Sequence, residues 1–286
     1  MRSVNRRPRH LTLSGLRRVV GTPQVGLAVV VLTVIIICVV FANDISPYPP
    51  HQLDIGNRFA TPSGRHWFGT DELGRDMFSR ILYGGRLALT ITFGSTMVAM
   101  VVGLTWGFVA AEASGRVESS LMRLADVAMA IPIVMFALIL VAAFGSTLLT
   151  LTFIIGILLA PGTARIARSS VLAELKSDYY LALVAVGVPR WRLLVGELLP
   201  NTAPTAIARA SLVSADVLMI EASLSFLGLG VAPPSASWGT LLREGYTQIY
   251  NSLGYVIFPA AMIVVVIWAF NTLGDRLQAL LDPRSI

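Results

Sequence analysis

The chain alternates long apolar blocks with shorter polar and charged stretches. Six blocks approach the roughly 20 mostly apolar residues that a helix needs to cross a bilayer. They are Val25–Ala42, Leu87–Ala111, Leu121–Gly145, Leu148–Ala167, Ala203–Leu224 and Leu253–Thr272. The pattern predicts an all-α polytopic membrane protein with about six transmembrane helices. The third and fifth blocks carry ionisable residues: Asp126 in one, and Arg209, Asp216 and Glu221 in the other. Pro132, Pro161, Pro204 and Pro259 lie in or beside the blocks, where each removes a backbone hydrogen bond and can kink its helix.

Composition agrees. Of 286 residues, 55% are hydrophobic and 13% charged, against roughly 25% charged in a soluble domain. Too few charges are present to cover a water-facing surface of this size. The net charge of +6 is not a nucleic-acid footprint, because much of it is Arg2, Arg6, Arg7, Arg9, Arg17 and Arg18, just before the first apolar block. That placement is a topology signal. Arg116, Arg168, Lys176, Arg190, Arg192 and Arg276 mark the same side. In the first loop on the opposite side, arginines are matched by Asp44, Asp54, Asp71, Glu72 and Asp76. Both termini are therefore expected in the cytoplasm. The block after the basic run is long for a signal peptide and no small-residue cleavage site follows it, so it is expected to be retained.

This divides the chain into a basic cytoplasmic tail (1–24), a first transmembrane helix (25–42), an extracytoplasmic loop (43–86), a permease core (87–274) and a cytoplasmic tail (275–286). The core contains a cytoplasmic loop over 169–200 and an outer loop over 225–252. Trp238 and Tyr246 in the outer loop suit a membrane–water interface, and the stretch 232–238 with its two prolines cannot be a helix interior. In the first outer loop, Thr70 or Asp71 is placed to start a surface helix, and Gly74 and the Gly84-Gly85 pair allow tight turns.

The cytoplasmic loop holds Ser177-Asp-Tyr-Tyr-Leu-Ala-Leu-Val-Ala-Val-Gly187-Val-Pro189. Ser177 or Asp178 can cap a helix start, and Gly187 followed by Pro189 suits its end. The body is apolar, too short to cross a membrane, and marginal alone in water. It needs a surface to pack on, either its own bundle or a groove in a partner. Downstream, Pro200 ends one helical pattern and Asn201 can cap the next.

This segment resembles the "EAA" loop of ABC importer permeases. Leu181-Ala182-Leu183, Gly187 and Leu199-Pro200 occupy the frame, with Leu181, Leu183 and Glu197 departing from the family's Glu, Ala and Ile. The resemblance implies that this helix, with Asp178 and Tyr179 at its start, docks into a partner ATPase and transmits nucleotide-driven motion. His66-Trp-Phe-Gly-Thr-Asp-Glu-Leu-Gly-Arg-Asp-Met-Phe-Ser-Arg80 is similar to the H-x-x-G-T-D-x-x-G-R-D-x-x-S-R signature of the C-type permease of dipeptide, oligopeptide and nickel importers. The stretches 224–242 and 270–284 are similar to later parts of the same subunit. The resemblance implies a type I importer bundle, a heterodimer with a B-type permease, two cytoplasmic ATPases and an extracytoplasmic substrate-binding protein. It further implies that the outer loops, with Asp71, Gly74, Arg75, Asp76 and Trp238, face that binding protein.

Arg209, Asp216 and Glu221 are candidates for the translocation path, since ionisable groups at membrane depth face a bundle interior or a water-filled route. Interhelical or intersubunit hydrogen bonding is the alternative. Arg209 and Asp216 share a helix face about 10.5 Å apart along the axis, and Glu221 lies about 140° round from Asp216. Asp126 is expected to pair with Arg123 or Arg165.

Nothing in the chain supplies a motor or a catalytic centre. Lys176 is its one lysine, and no P-loop glycines precede it. No H-E-x-x-H or G-x-S-x-G occurs, the three histidines have no metal-ligand spacing, and Cys38 is single and sits in an apolar block. The chain is expected to be a non-enzymatic permease subunit that binds no cofactor, with ATP and Mg on partner subunits. A secondary transporter or channel would not need the 178–186 helix, and an intramembrane enzyme would want paired catalytic groups at one depth.

Overall fold

The computed structural model describes residues 23–281. The basic run of the N-terminal tail and the last residues of the C-terminal tail lie outside the described residues. The elements are α1 (Pro23–Val40), α2 (Met77–Glu112), α3 (Arg116–Ala130), α4 (Ile133–Phe144), α5 (Leu148–Leu175), α6 (Asp178–Ala185), α7 (Leu199–Phe226), α8 (Trp238–Thr247) and α9 (Gly254–Leu281). Among the described residues there are no strands, only an isolated bridge between Thr70 and Asp76.

Among the described residues, five helical stretches are long and apolar enough to cross a membrane, and the α3–α4 pair makes up to a sixth. That pair replaces one continuous helix over the expected block Leu121–Gly145, its two halves meeting at 87°. Pro132 sits at the corner. Its ring pushes Ile131 into extended backbone (φ −87°, ψ 130°), the conformation a residue before proline favours. Pro161, Pro204 and Pro259 instead remain inside continuous helices.

The heart of the bundle is the α2–α5 pair, brought together by missing side chains. A Cβ on Gly103 would lie 2.7 Å from Ala160 O, one on Gly107 2.5 Å from Ala164 O, and one on Gly156 2.8 Å from Ser95 O. Small residues at such contacts let backbones approach where lipid supplies no hydrophobic drive between helices. Around this pair, Leu151, Ile155, Val213, Val217 and Leu224 form one buried cluster. Ile81, Leu218, Trp238, Tyr255 and Val266 belong to another, at the junction of α2, α7, α8 and α9.

Several local expectations change. The second span begins at Met77 rather than Leu87, so Gly84 and Gly85 lie inside a helix, not in turns. Their role is close packing: a Cβ on Gly85 would come within 2.6 Å of Val39 Cγ2 and 2.9 Å of Trp238 Cζ2. No helix starts at Thr70 or Asp71. Asp76 is the cap, accepting from Ser79 N at 2.8 Å. Pro200 does not end a helix, because the chain passes through a π-turn at Leu194–Leu198 directly into α7, and proline in a first turn costs no hydrogen bond. The outer loop contains α8, whose start is a reciprocal cap between Ser237 and Thr240.

Candidate functional site: an exposed short helix, a charged helix face and a buried ionic cap

Helix α6 is fixed at both ends and open between them. Ser177 takes the N-cap position without a side-chain cap bond, its hydroxyl donating instead to Glu174 O at 2.6 Å. At the other end Gly187 adopts φ +81°, and Val188 N folds back to Leu183 O at 3.1 Å. This is the left-handed glycine termination expected of the sequence. Two tyrosines hold the helix to the bundle. Tyr179 donates to Glu174 Oε2 at 2.6 Å and accepts from Asn201 Nδ2 at 2.8 Å, joining the end of α5 to the start of α7. Burial, with the hydrogen bond to Glu174 behind it, pushes the Tyr179 phenol up to about 12. Tyr180 packs on a small cluster of Ala111, Val171 and Leu198.

No residue of α6 is buried. Leu181 is 55% exposed, Val184 49% and Val186 83%. Ala182 and Asp178 are also exposed, and Leu183 is half-buried. Leu199 and Pro200, at the foot of α7, are also exposed. Helix α6 is thus anchored by tyrosine hydroxyl and ring while its Leu181 and Val184 side chains stay exposed.

The three ionisable residues of α7 do not form one group. Glu221 is fully buried and accepts from Ser225 Oγ at 2.7 Å, while Ser237 Oγ donates to Ser225 Oγ at 3.2 Å. Through Ser225 it is linked to the start of α8, and its second oxygen, Oε2, is enclosed without a hydrogen-bond partner. Arg209 and Asp216 are half-buried, and Arg209 Nε has no hydrogen-bond partner. Asp126 pairs with Arg165, and Glu118 with Arg168, tying α3 to α5.

The outer residues expected to face a partner are mostly interior, which corrects that expectation. Asp71 is 0% and Asp76 2% exposed. Asp71 Oδ1 accepts from Leu73 N and Arg75 N, closing the loop around Gly74. A side chain on Gly74, at φ +75°, would strike Asp54 O at 1.7 Å. Asp71 Oδ2 accepts from Arg75 Nε at 2.5 Å and Arg80 Nη1 at 2.7 Å. Arg80 Nη1 also donates to Glu244 Oε2 at 2.7 Å, and Tyr255 OH donates to the same oxygen at 2.6 Å. Arg75 Nη2 lies 3.6 Å from it. Asp76 meets His66 Nδ1 at 2.9 Å. Trp238 is fully buried rather than interfacial, donating from Nε1 to Ile81 O at 2.9 Å, whereas Tyr246 is 59% exposed. These groups form an ionic cap that clamps the first outer loop and α8 onto the bundle. Burial alone would raise the Glu244 carboxyl, but the hydrogen bond and charge of Arg80 outweigh it and hold Glu244 below its ordinary range. Glu244 and Tyr255 were not singled out from the sequence, since no local pattern joins them to Asp71.

The fold is thus a proline-bearing helical bundle with one exposed short helix and a largely buried ionic cap. Residues 103–286 match the family of binding-protein-dependent transport system inner membrane components, and the chain belongs to that family. It is 32% identical over 265 residues to the probable D,D-dipeptide transport system permease protein DdpC of Escherichia coli, covering 93% of this chain and 89% of that protein. It is 34% identical over 261 residues to the oligopeptide transport system permease protein OppC of Bacillus subtilis, covering 91% and 85% respectively. With the dipeptide transport system permease protein DppC of the same organism it shares 34% identity over 255 residues, covering 89% and 80%. In backbone the chain resembles the inward-facing MetNI methionine ABC transporter, with TM-score 0.59 over 71% of this chain and 97% of that one. At 18% identity this likeness concerns the fold, a type I importer bundle.

Proposed function

We propose that this chain is the translocation subunit of an ATP-driven importer for di- or oligopeptides, with α6 as the element that couples it to ATPase subunits. The observation that carries this reading is the exposed aliphatic side of α6. A short helix with Leu181 and Val184 in water is not stable on its own, and its anchorage by Tyr179 and Tyr180 leaves that side available for a groove in a partner. The relatives named above are peptide permeases, which supports the substrate class.

In this reading the chain pairs with a related B-type permease, two cytoplasmic ATPases and an extracytoplasmic binding protein. It catalyses nothing itself and binds no cofactor, since ATP and Mg belong to the ATPases. Both termini lie in the cytoplasm, which puts α6 on the ATPase side and the ionic cap on the binding-protein side. ATPase closure pushes α6, and the push passes through Tyr179 to the ends of α5 and α7. The spans then reorient between inward and outward access.

Co-purification tests it. The tagged chain, expressed with its partner subunits and extracted gently, is compared with Gly187→Asp and Leu181→Asp. Two ATPases retained by the wild type and lost from the variants support the reading. No ATPase on the wild type in several detergents refutes it.

A further inference from the structure

Arg209 and Asp216 are ionisable residues inside a membrane span, and the ion pairs of the neighbouring helices leave both out: Arg165 goes to Asp126 and Arg168 to Glu118. Electrostatically each acts on the other, yet they form no ion pair within 4.0 Å among the described residues. Arg209 Nε is enclosed and has no acceptor. Opposite the guanidinium is Gly162, where an added Cβ would come within 3.3 Å of Arg209 Nη2, so the charge lies against the bare backbone of α5. Seven positions along α7, Asp216 falls on the same face, about 10.5 Å away along the axis. The stripe continues to Met219, 51% exposed, and to half-buried Ser223, so this chain's own bundle covers it only in part. Glu221, by contrast, is closed off by Ser225 and α8. A face that is only partly covered, carries both charges and is set at membrane depth does not suit lipid.

We propose that Arg209 and Asp216 form a transit site for short zwitterionic peptides, Arg209 receiving the terminal carboxylate and Asp216 the terminal ammonium. The inference rests on the peptide-import reading above and deepens it. The spacing matches the ligand: an extended chain spans about 3.3–3.6 Å per residue, so two or three residues bridge the two charges once the side chains lean inward. A guanidinium offers paired donors to a carboxylate, and the missing side chain at Gly162 leaves it room to turn. Contacts to two mobile charges can form and release in passage, as transport requires.

The test uses the complete complex in proteoliposomes with saturating binding protein. The probes are trialanine, N-acetyl-trialanine and trialanine amide, and uptake is normalised to the amount of each peptide that the binding protein carries. Wild type is expected to favour free trialanine. Asp216→Asn should lower its uptake about tenfold, the loss of one charge-assisted contact. It should also abolish the disadvantage of the acetylated peptide while leaving that of the amide. Arg209→Gln should do the converse. Asp216→Glu and Arg209→Lys should retain most uptake, and ATP hydrolysis stimulated by loaded binding protein should persist in all four variants. If both neutral variants handle the three peptides as wild type does, the transit site is refuted and peptide import stands. If they lose the partner permease on purification, the pair belongs to a subunit interface and the proposal fails. A wild-type complex that takes up no peptide refutes the import reading instead.

Discussion

Arg80 reaches Glu244 across 164 positions of chain, its Nη1 lying 2.7 Å from Glu244 Oε2. The same nitrogen holds Asp71 at 2.7 Å, so one guanidinium fastens the first outer loop and α8 to the head of α2. Removing one partner from a buried ionic cluster leaves the others unpaired. Arg80→Met is therefore expected to cost about 3–5 kcal/mol. Glu244→Gln should cost only about 1 kcal/mol, because Glu244 retains 33% side-chain exposure and Tyr255 can still donate to the amide oxygen. Thermal unfolding of the purified protein in detergent checks both, and equal losses would contradict this ranking.

The cap should also respond to acid. The folded-state pKa of Glu244 is depressed below the ordinary 4.5, so its contribution is fully present above pH 4.5 and is lost as pH falls through the lowered value. Protease resistance of the 43–76 loop should be flat from neutral pH down to about 5 and decline below that. In Glu244→Gln the part of the decline due to this carboxylate should be absent. An identical profile in the variant would assign the decline to other carboxylates.

The α2–α5 contact should tolerate no side chain. Gly107 has Ala164 O at 2.5 Å and Ala167 Cβ at 2.6 Å from the position a Cβ would take. Gly107→Ala is expected to destabilise by about 1–3 kcal/mol, and Gly107→Leu to abolish a monodisperse product on size exclusion. Gly196→Ala, with open space around it, serves as the matched control and should behave as wild type.

Tyr179→Phe separates anchorage from docking. It removes the hydroxyl shared by Glu174 and Asn201 and should cost about 1–2 kcal/mol while leaving the outward side of α6 intact. ATPases should still co-purify, but binding-protein-stimulated ATP hydrolysis should fall. Because this phenol is pushed up to about 12, its absorbance should not titrate below about pH 11.

Leu181→Asp should do the opposite. At 55% exposure the leucine contributes little to the isolated chain, and surface changes lie within about 0.5 kcal/mol. Unfolding of the chain alone should be unchanged while the ATPases are lost. A large fall in stability would instead mean that Leu181 packs within its own subunit.

What the sequence determined by itself was whatever the bilayer and local backbone chemistry dictate. Twenty-residue apolar blocks have few alternatives in lipid, so the number of spans and the helical class were legible. The Gly187 stop was legible because the left-handed conformation is local to one residue. The bend at Pro132 was visible as a proline, but its 87° magnitude depends on how α3 and α4 each pack against α5.

Tertiary structure decided the roles of the charged and small residues, because those depend on partners far away in the chain. Asp71 and Asp76 look like exposed loop acids until Arg75, Arg80 and His66 are seen to close over them. Trp238 looks interfacial until Ile81 O accepts its indole. Gly84 and Gly85 look like a turn until Leu241 and Trp238 fill the space beside them. Glu221 and Asp216, five positions apart on one helix, have the same chemistry in sequence. The fold enclosed one against Ser225 and left the other half-buried, since successive helical positions turn by about 100° and meet different neighbours.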